Sequence, residues 1–133
     1  MISLLAQQAV LDAKIVKPIH VHFEDIIDSD WTGTPKILIT ESETVPEDYT
    51  QFNVLSWKTK MLVSCAAKDT ADAVCYGSKA ANAVMERFAE MERSSNSGNA
   101  ELIFSAMKVQ STLRHIDERS EMIYSVMFEV IHR

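Results

Sequence analysis

The sequence predicts an α+β fold, with a single mixed or antiparallel sheet of about 4–5 strands and two main helices packed on one face. Two segments place an apolar residue every three or four positions, which is the spacing of an amphipathic helix. Five other segments are predicted to be strands, and the clearest of them alternate apolar and polar residues, as half-buried strands do. The strands are grouped in runs between the helices, and this grouping favours hairpins.

The first part of the chain predicts one helix and two short strands. Ile2 to Val16 carries an apolar stripe and forms the helix, and Pro18 blocks its continuation. Ile19 to Glu24 alternates in polarity and predicts a strand, and Lys36 to Thr40 predicts the next one after an acidic loop. Glu41 to Tyr49 contains four acidic residues and one Pro, so we expect a second acidic loop there.

The middle of the chain predicts the central strand and the longer helix. Asn53 to Ala66 is the longest alternating segment, which favours a central position in the sheet. Asp69 or Thr70 is a suitable N-cap for a helix that runs to about Arg93. Gly77 lies in the middle of its apolar stripe, where a residue without a side chain lets the helix approach the sheet closely.

The last part predicts two more strands. The polar segment 94–99 is expected to be a surface connection, and a strand with an uncertain register begins at Leu102. Arg114 to Glu121 is expected to be a charged turn. Met122 to Ile131 predicts the closing strand, with apolar residues on both of its faces.

Length and composition indicate one domain spanning residues 1–133. The chain is 47% hydrophobic and has 3 Gly and 3 Pro, which is typical of a folded protein and not of a disordered one. Its 13 basic and 19 acidic residues give a net charge of −6. Because nucleic-acid-binding modules need clustered positive charge, this balance argues against a DNA-binding role.

The sequence contains no recognisable signal for export or for the membrane. Gln7, Gln8 and Asp12 interrupt the apolar N-terminal residues, unlike the core of a secretory signal, and no apolar window reaches the roughly 18 residues of a membrane span. Cys65 and Cys75 form no CxxC pair. We expect reduced cysteines that serve in packing, in a cytoplasmic setting.

The sequence predicts no catalytic, cofactor-binding or metal-binding residues. His20, His22 and Glu24 share one side of a strand, but no further ligand accompanies them and a solvated strand face is the simpler interpretation. The chain has no GxSxG motif, and its three glycines stand far apart, unlike those of a phosphate-binding loop. We therefore expect no enzyme activity and no cofactor.

Four apolar residues are candidates for a subunit or partner interface. Trp31 lies in the first acidic loop without a periodic partner, and the alternative is that it packs within that loop. Ile123, Met127 and Ile131 lie on the second face of the last strand, and the alternative is that they pack under the N-terminal helix.

The chain resembles the phage tail terminators, a group that includes the lambda minor tail protein U and other tail-completion proteins of long-tailed phages. The similarity covers nearly the whole chain in order and at similar length. It is carried by the N-terminal helix, the strands Lys36–Thr40 and Ser56–Ser64, the Ala-rich helix Asp69–Met91 and the closing strand Met122–Ile131.

The resemblance implies a structural virion protein at the head-proximal end of the tail, assembled in the host cytoplasm. Such a protein forms a ring, expected to be a homo-hexamer, that caps the tail tube, stops its polymerisation and joins it to the head connector or neck protein. DNA passes through without specific binding, and no membrane is involved.

Acidic residues in the lumen of such a ring would repel the phosphates of passing DNA. We therefore interpret one of the two acidic segments as lumen-facing. The candidates are Glu24, Asp25, Asp28, Asp30, Glu41, Glu43, Glu47 and Asp48.

Two other interpretations of the sequence remain open. One is another neck or head-completion protein, and the other is a small ferredoxin-like cytoplasmic enzyme or ligand-binding domain.

Overall fold

The computed structural model describes residues 2–16, 21–23, 35–51, 53–96, 103–116 and 121–133. The elements follow the predicted order of one helix, three strands, one helix and two strands, and the fold is α+β as expected. They are α1 (Ile2–Ala13), β1 (Val21–Phe23), β2 (Lys36–Tyr49), β3 (Val54–Ala67), α2 (Thr70–Asn96), β4 (Ile103–Ile116) and β5 (Glu121–His132).

The five strands form one mixed sheet in the order β1-β2-β3-β5-β4. The pairs β2–β3, β3–β5 and β5–β4 are antiparallel, whereas β1 pairs with β2 in parallel, with Val21 opposite Ile37 and Phe23 opposite Ile39. β3 therefore lies at the centre of the sheet, as its length and pattern predicted.

Both helices pack on the same face of this sheet and share one hydrophobic core with it. The core joins α1 to β2, and α2 to β3, β4 and β5. Phe88 of α2 and Phe128 of β5 are the largest side chains that are completely buried. Other members, contributed by both helices and by the sheet, are Ala6, Val10, Ile37, Ile39, Met61, Val63, Ala81, Val84 and Val130.

The start of α2 is capped as the sequence indicates. The Asp69 side chain accepts a hydrogen bond from the backbone N–H of Asp72 at 2.7 Å. This bond satisfies one of the free N–H groups of the first turn, where the helix dipole also favours the carboxylate of Asp72. The helix ends at Asn96, three residues beyond the predicted end at Arg93.

Gly77 lets α2 lie directly on the sheet. A Cβ atom at this position would stand 2.6 Å from Cδ1 of Tyr124 and 3.2 Å from Cβ of Cys65. Both distances are shorter than ordinary van der Waals contact, so any side chain at position 77 would displace its neighbours. The close approach predicted from the sequence is confirmed.

The predicted loop from Glu41 to Tyr49 is wrong, because β2 continues without interruption to Tyr49. Its polar side chains are stabilised by pairing with β3. Oε2 of Glu43 lies 3.8 Å from Nζ of Lys60, and Oε2 of Glu47 lies 3.6 Å from Nζ of Lys58. We call residues 43–49 of β2 together with residues 54–60 of β3 the hairpin arm.

Two further boundaries differ from the prediction. Arg114 belongs to β4 and pairs with Ile123, so the charged turn begins later than expected. The first helix ends at Ala13 rather than Val16, because Lys14 has a φ of 55° and left-handed backbone stops the helix there.

Candidate functional site

Chemically reactive side chains are scarce in the part of the chain that the structure describes. Among these residues, no group of three or more His, Cys, Asp or Glu side chains is placed to hold a metal ion. His22 lies in β1, but His20 and Glu24 fall outside the described residues. Their predicted position on one side of a strand with His22 therefore stays a prediction. Cys65 is buried, and this burial raises the pKa of its thiol to about 12.

Three side chains form a hydrogen-bonded chain across β2, β3 and β5. The Thr44 and Thr59 hydroxyl oxygens are 2.9 Å apart, and the Thr59 hydroxyl is 2.7 Å from Nε2 of His132. Nδ1 of His132 lies 3.0 Å from the main-chain oxygen of Arg133, which can only accept. In neutral His132, Nδ1–H therefore donates to that oxygen, Nε2 accepts from Thr59, and Thr59 accepts from Thr44.

A cavity of about 380 Å³ opens beside these three hydrogen-bonded side chains. Its walls are Ile2, Glu41, Thr44, Trp57, Thr59, His132 and Arg133. Burial is the largest single influence and raises the pKa of the Glu41 carboxyl, but hydrogen bonds with Ser3, whose backbone N–H donates at 2.8 Å, together with a nearby positive charge hold that pKa below its ordinary value. Glu41 thus stays ionised and ties β2 to the first turn of α1.

The predicted interface residues of the last strand share the face of the sheet that lies away from the helices. Ile123, Met127 and Ile131 are each partly exposed there. Their partners across β3 are Ala66, Leu62 and Lys58. We call this surface the open face. Its apolar residues are Ile123, Met127 and Ile131 of β5 with Ala66 and Leu62 of β3, and it also carries the hydrogen-bonded pair Ser64 and Ser125. Trp31 lies outside the described residues.

Half of the eight acidic candidates for the lumen lie within the described residues. Glu41, Glu43, Glu47 and Asp48 are exposed along β2, on a strand and not on the predicted loop. Lys60 and Lys58 partly neutralise Glu43 and Glu47. The other four, Glu24, Asp25, Asp28 and Asp30, lie outside the described residues.

A groove between α2 and β4 is a feature that the sequence analysis missed. It has a volume of about 350 Å³, and Nζ of Lys108 donates a hydrogen bond across it to Oδ1 of Asn82 at 2.7 Å. An irregularity in the pairing of β4 at Val109 lies on its edge. Its lining is Ser78, Ala81, Asn82, Lys108, Val109, Gln110, Ser111, Tyr124 and Val126, which includes no carboxylate.

No short motif marks this groove. Its two walls come from positions 78–82 and 108–111, which the fold brings together, with Tyr124 and Val126 of β5 between them. The only local signal is the irregular polarity of the segment that begins at Leu102, which made its register uncertain.

Neither of the described helices is both long enough and apolar enough to span a bilayer.

No protein-family model matches the chain, and no curated protein matches it either. The chain is similar in fold to a chain of a solved structure described as "Virion of native gene transfer agent (GTA) particle". The two superpose with a TM-score of 0.51 and 12% sequence identity, over 95% of this chain and 92% of that chain. At this identity the comparison establishes a common fold along almost the full length of both chains.

Proposed function

We propose that the chain is a structural virion protein of a phage-like particle and, within that class, a ring-forming tail terminator. In this role it caps the tail tube, stops its polymerisation and joins it to the head connector. The observation that carries the proposal is the fold shared over nearly its full length with a chain of the gene transfer agent virion. The resemblance to tail terminators in the order of elements points to the same class of protein.

The surface of the chain suits a subunit with several neighbours. A closed ring needs two different patches on each subunit, one for each adjacent copy, and further surface for the tube and the connector. The hairpin arm, the open face and the α2–β4 groove are three separate surfaces of this kind. We propose that Ile123, Met127 and Ile131 contact a neighbour, together with Trp31.

The acidic side chains of β2 suit a channel through which DNA moves. Glu41, Glu43, Glu47 and Asp48 are exposed along one strand, and the net charge of the chain is −6. We propose that Glu41 and Glu43, the two of these carboxylates that lie further from the end of the hairpin, line the lumen of a homo-hexameric ring, where they repel phosphate and prevent the DNA from binding. In this role the chain needs no cofactor and catalyses no reaction.

A second candidate is another protein of the neck or of head completion. The same fold comparison favours it, because the name of the matched particle specifies no position within the virion. The two candidates differ in what their loss would do to the tail.

Deletion of the gene in the producing cell, followed by electron microscopy of the particles, tests the proposal. Loss of a terminator is expected to give tails of uncontrolled length. Loss of a neck protein is expected to give tails of normal length that are separated from heads. Normal, complete particles without this chain would refute both candidates.

The mass of the purified protein in solution gives a second test. A ring is expected to have a mass several times 15.0 kDa by light scattering and to be visible by negative stain. Turnover of a small metabolite by a stable monomer would instead favour an enzyme.

A further inference from the structure

We infer that neighbouring copies of this chain meet through the hairpin arm of one copy and the α2–β4 groove of the next. The inference rests on the proposed assembly function and adds the two surfaces that make the contact. The segment that fills the groove is the end of the hairpin arm of a second copy.

The arm has the properties of an inserted element. Residues 54–56 extend beyond β5, whose pairing with β3 begins at Trp57, and they are not part of the hydrophobic core, whereas Thr59 at the base of the arm is buried. Val54 and Leu55, close to its end, are neighbours in sequence and are 39% and 51% exposed, so the arm offers aliphatic surface to a partner. Between positions 47 and 56 the sequence contains two carboxylates, Glu47 and Asp48, and no basic residue.

The groove offers the complementary chemistry. Lys108 supplies its only charge among the described lining residues, and the Val109 and Val126 side chains supply apolar surface. The hydroxyl and amide groups of Ser78, Gln110 and Ser111 add hydrogen-bonding partners. A segment that carries both a carboxylate and an aliphatic side chain would satisfy this lining.

Charge is distributed unequally between the two strands concerned. From Lys36 onward β2 contains four acidic residues and no further basic one, whereas β4 contains Lys108 and Arg114 and no acidic residue. Within the arm, Lys60 and Lys58 pair with Glu43 and Glu47, so Asp48 is the carboxylate best placed to attract the Lys108 of another copy. This attraction joins two different surfaces and favours a head-to-tail contact.

The topology prevents an arm from filling the groove of its own chain. β3 and β5 separate β2 from β4 in the sheet. Val54 begins β3 and Lys108 lies in register with Phe128 and Met61, so the two are seven strand residues apart, or roughly 23 Å. The arm therefore reaches only the groove of another copy, and repeated contacts of this kind generate a ring when the rotation closes.

Zero-length cross-linking tests the contact directly. Unlabelled and ¹⁵N-labelled protein are mixed, allowed to assemble and treated with a carbodiimide, which joins a carboxylate to an amine in contact with it. We expect mixed-isotope peptides in which Lys108 is joined to Asp48 or Glu47. Assembled protein with links between copies only at other positions would overturn the inference, and so would copies that never associate.

Charge reversal provides the second test. Lys108→Glu and Asp48→Lys are each expected to weaken association about tenfold or more, and the double variant is expected to recover most of the loss. Lys79→Glu and Glu90→Lys are matched controls, because they make the same charge changes on exposed parts of α2 outside the lining. Single variants that associate like the parent protein would overturn the inference.

Lys108 also binds Asn82 within its own chain, so a further variant separates the two roles. Asn82→Ala removes this internal hydrogen bond and leaves the charge of Lys108 in place. Because Asn82 also lines the groove, we expect its association to weaken, but clearly less than that of Lys108→Glu, since the positive charge is kept. A loss as large as that of Lys108→Glu would show that the internal bond matters and would contradict the proposed contact.

These outcomes are independent of the test of the proposed function. Tails of uncontrolled length in the gene deletion together with unaffected charge-reversal variants would refute the arm–groove contact alone. Normal particles in the deletion would refute the function whatever the variants do.

Discussion

The Thr59 hydroxyl lies 2.7 Å from Nε2 of His132, although the two residues are 73 positions apart in sequence. Both side chains are buried, at 1% and 9% exposure. Their hydrogen bond ties the central strand to β5, and the Thr44 hydroxyl extends it to β2.

Replacement of Thr59 by Val is expected to destabilise the fold by about 1–3 kcal/mol, because Nε2 of His132 would be left buried without a partner. The free energy of unfolding in urea measures this change. Thr44→Val is the matched control, since Thr44 is exposed and its loss leaves the Thr59–His132 bond in place. Equal stability of the Thr59 variant and the parent protein would contradict the described network.

Gly77→Ala is expected to destabilise the protein, although Ala is the better helix former by about 1 kcal/mol. The added methyl group would overlap Tyr124, and overpacking of this kind costs about 1–3 kcal/mol. The double variant Gly77→Ala, Tyr124→Ala checks the cause. Its loss is expected to be smaller than the sum of the two single losses, and strict additivity would argue against the contact.

Asp12 and Arg87 join α1 to α2 through a hydrogen bond of 2.8 Å. The hydrogen bond from Arg87 is the main cause that lowers the pKa of Asp12 below 3.8. Because the pKa of Asp12 is lower in the folded state than in the unfolded state, the ionised carboxylate stabilises the fold. This stabilisation is fully present at a pH above the unfolded-state pKa and is lost as the pH falls through the folded-state pKa.

We therefore expect Asp12→Asn to be less stable than the parent protein at about pH 7, with the difference vanishing at about pH 2. Urea unfolding at both pH values measures the effect, which is small because the pair is largely exposed. A difference that grows as the pH falls would have the wrong sign for this pair.

The two cysteines are expected to react at very different rates. Cys75 is exposed, whereas Cys65 is buried with a thiol pKa of about 12, and only the thiolate is a good nucleophile. A thiol reagent at about pH 8 should therefore modify one thiol in the folded chain and both after unfolding. Cys75→Ser provides the control, and rapid labelling of this folded variant would contradict the burial of Cys65.

Met127→Ser is expected to reduce incorporation of the chain into particles without unfolding it, because Met127 is only partly buried on the open face. The amount of chain in purified particles measures the effect. Glu129→Gln, on the same face of β5, keeps the apolar surface and should be incorporated normally. Normal incorporation of the Met127 variant would remove this residue from the interface. Trp31 stays a candidate by sequence alone.

The sequence predicted best those elements whose pattern arises from burial on one side. In β3, Thr59, Met61 and Val63 alternate with half-exposed residues and are buried as expected. Val84 and Phe88 of α2 follow the helical spacing in the same way. Periodicity predicts such elements because burial of one face requires an apolar residue each time the strand or helix returns to that face.

The β2 half of the hairpin arm escaped prediction, whereas its β3 half lies in the strand predicted from Asn53 to Ala66. Glu43 has little tendency to form a strand, and it lies in one because Lys60 and the neighbouring backbone of β3 pair with β2. The Thr59–His132 bond and the α2–β4 groove also join residues far apart in sequence. The open face was predicted because Ile123, Met127 and Ile131 mark it within a single strand.

The outer edge of β2 is a poor template for a further strand. β1 covers only residues 37–39 of it, and no other described strand lies along that edge. Pro46 has no N–H to donate, and the pairing of β2 is irregular on either side of it. Edges interrupted in this way resist the strand-by-strand growth that produces amyloid fibres. The exposed end of the hairpin, with Val54 and Leu55, can therefore remain available to a partner at high concentration without making the chain prone to aggregate.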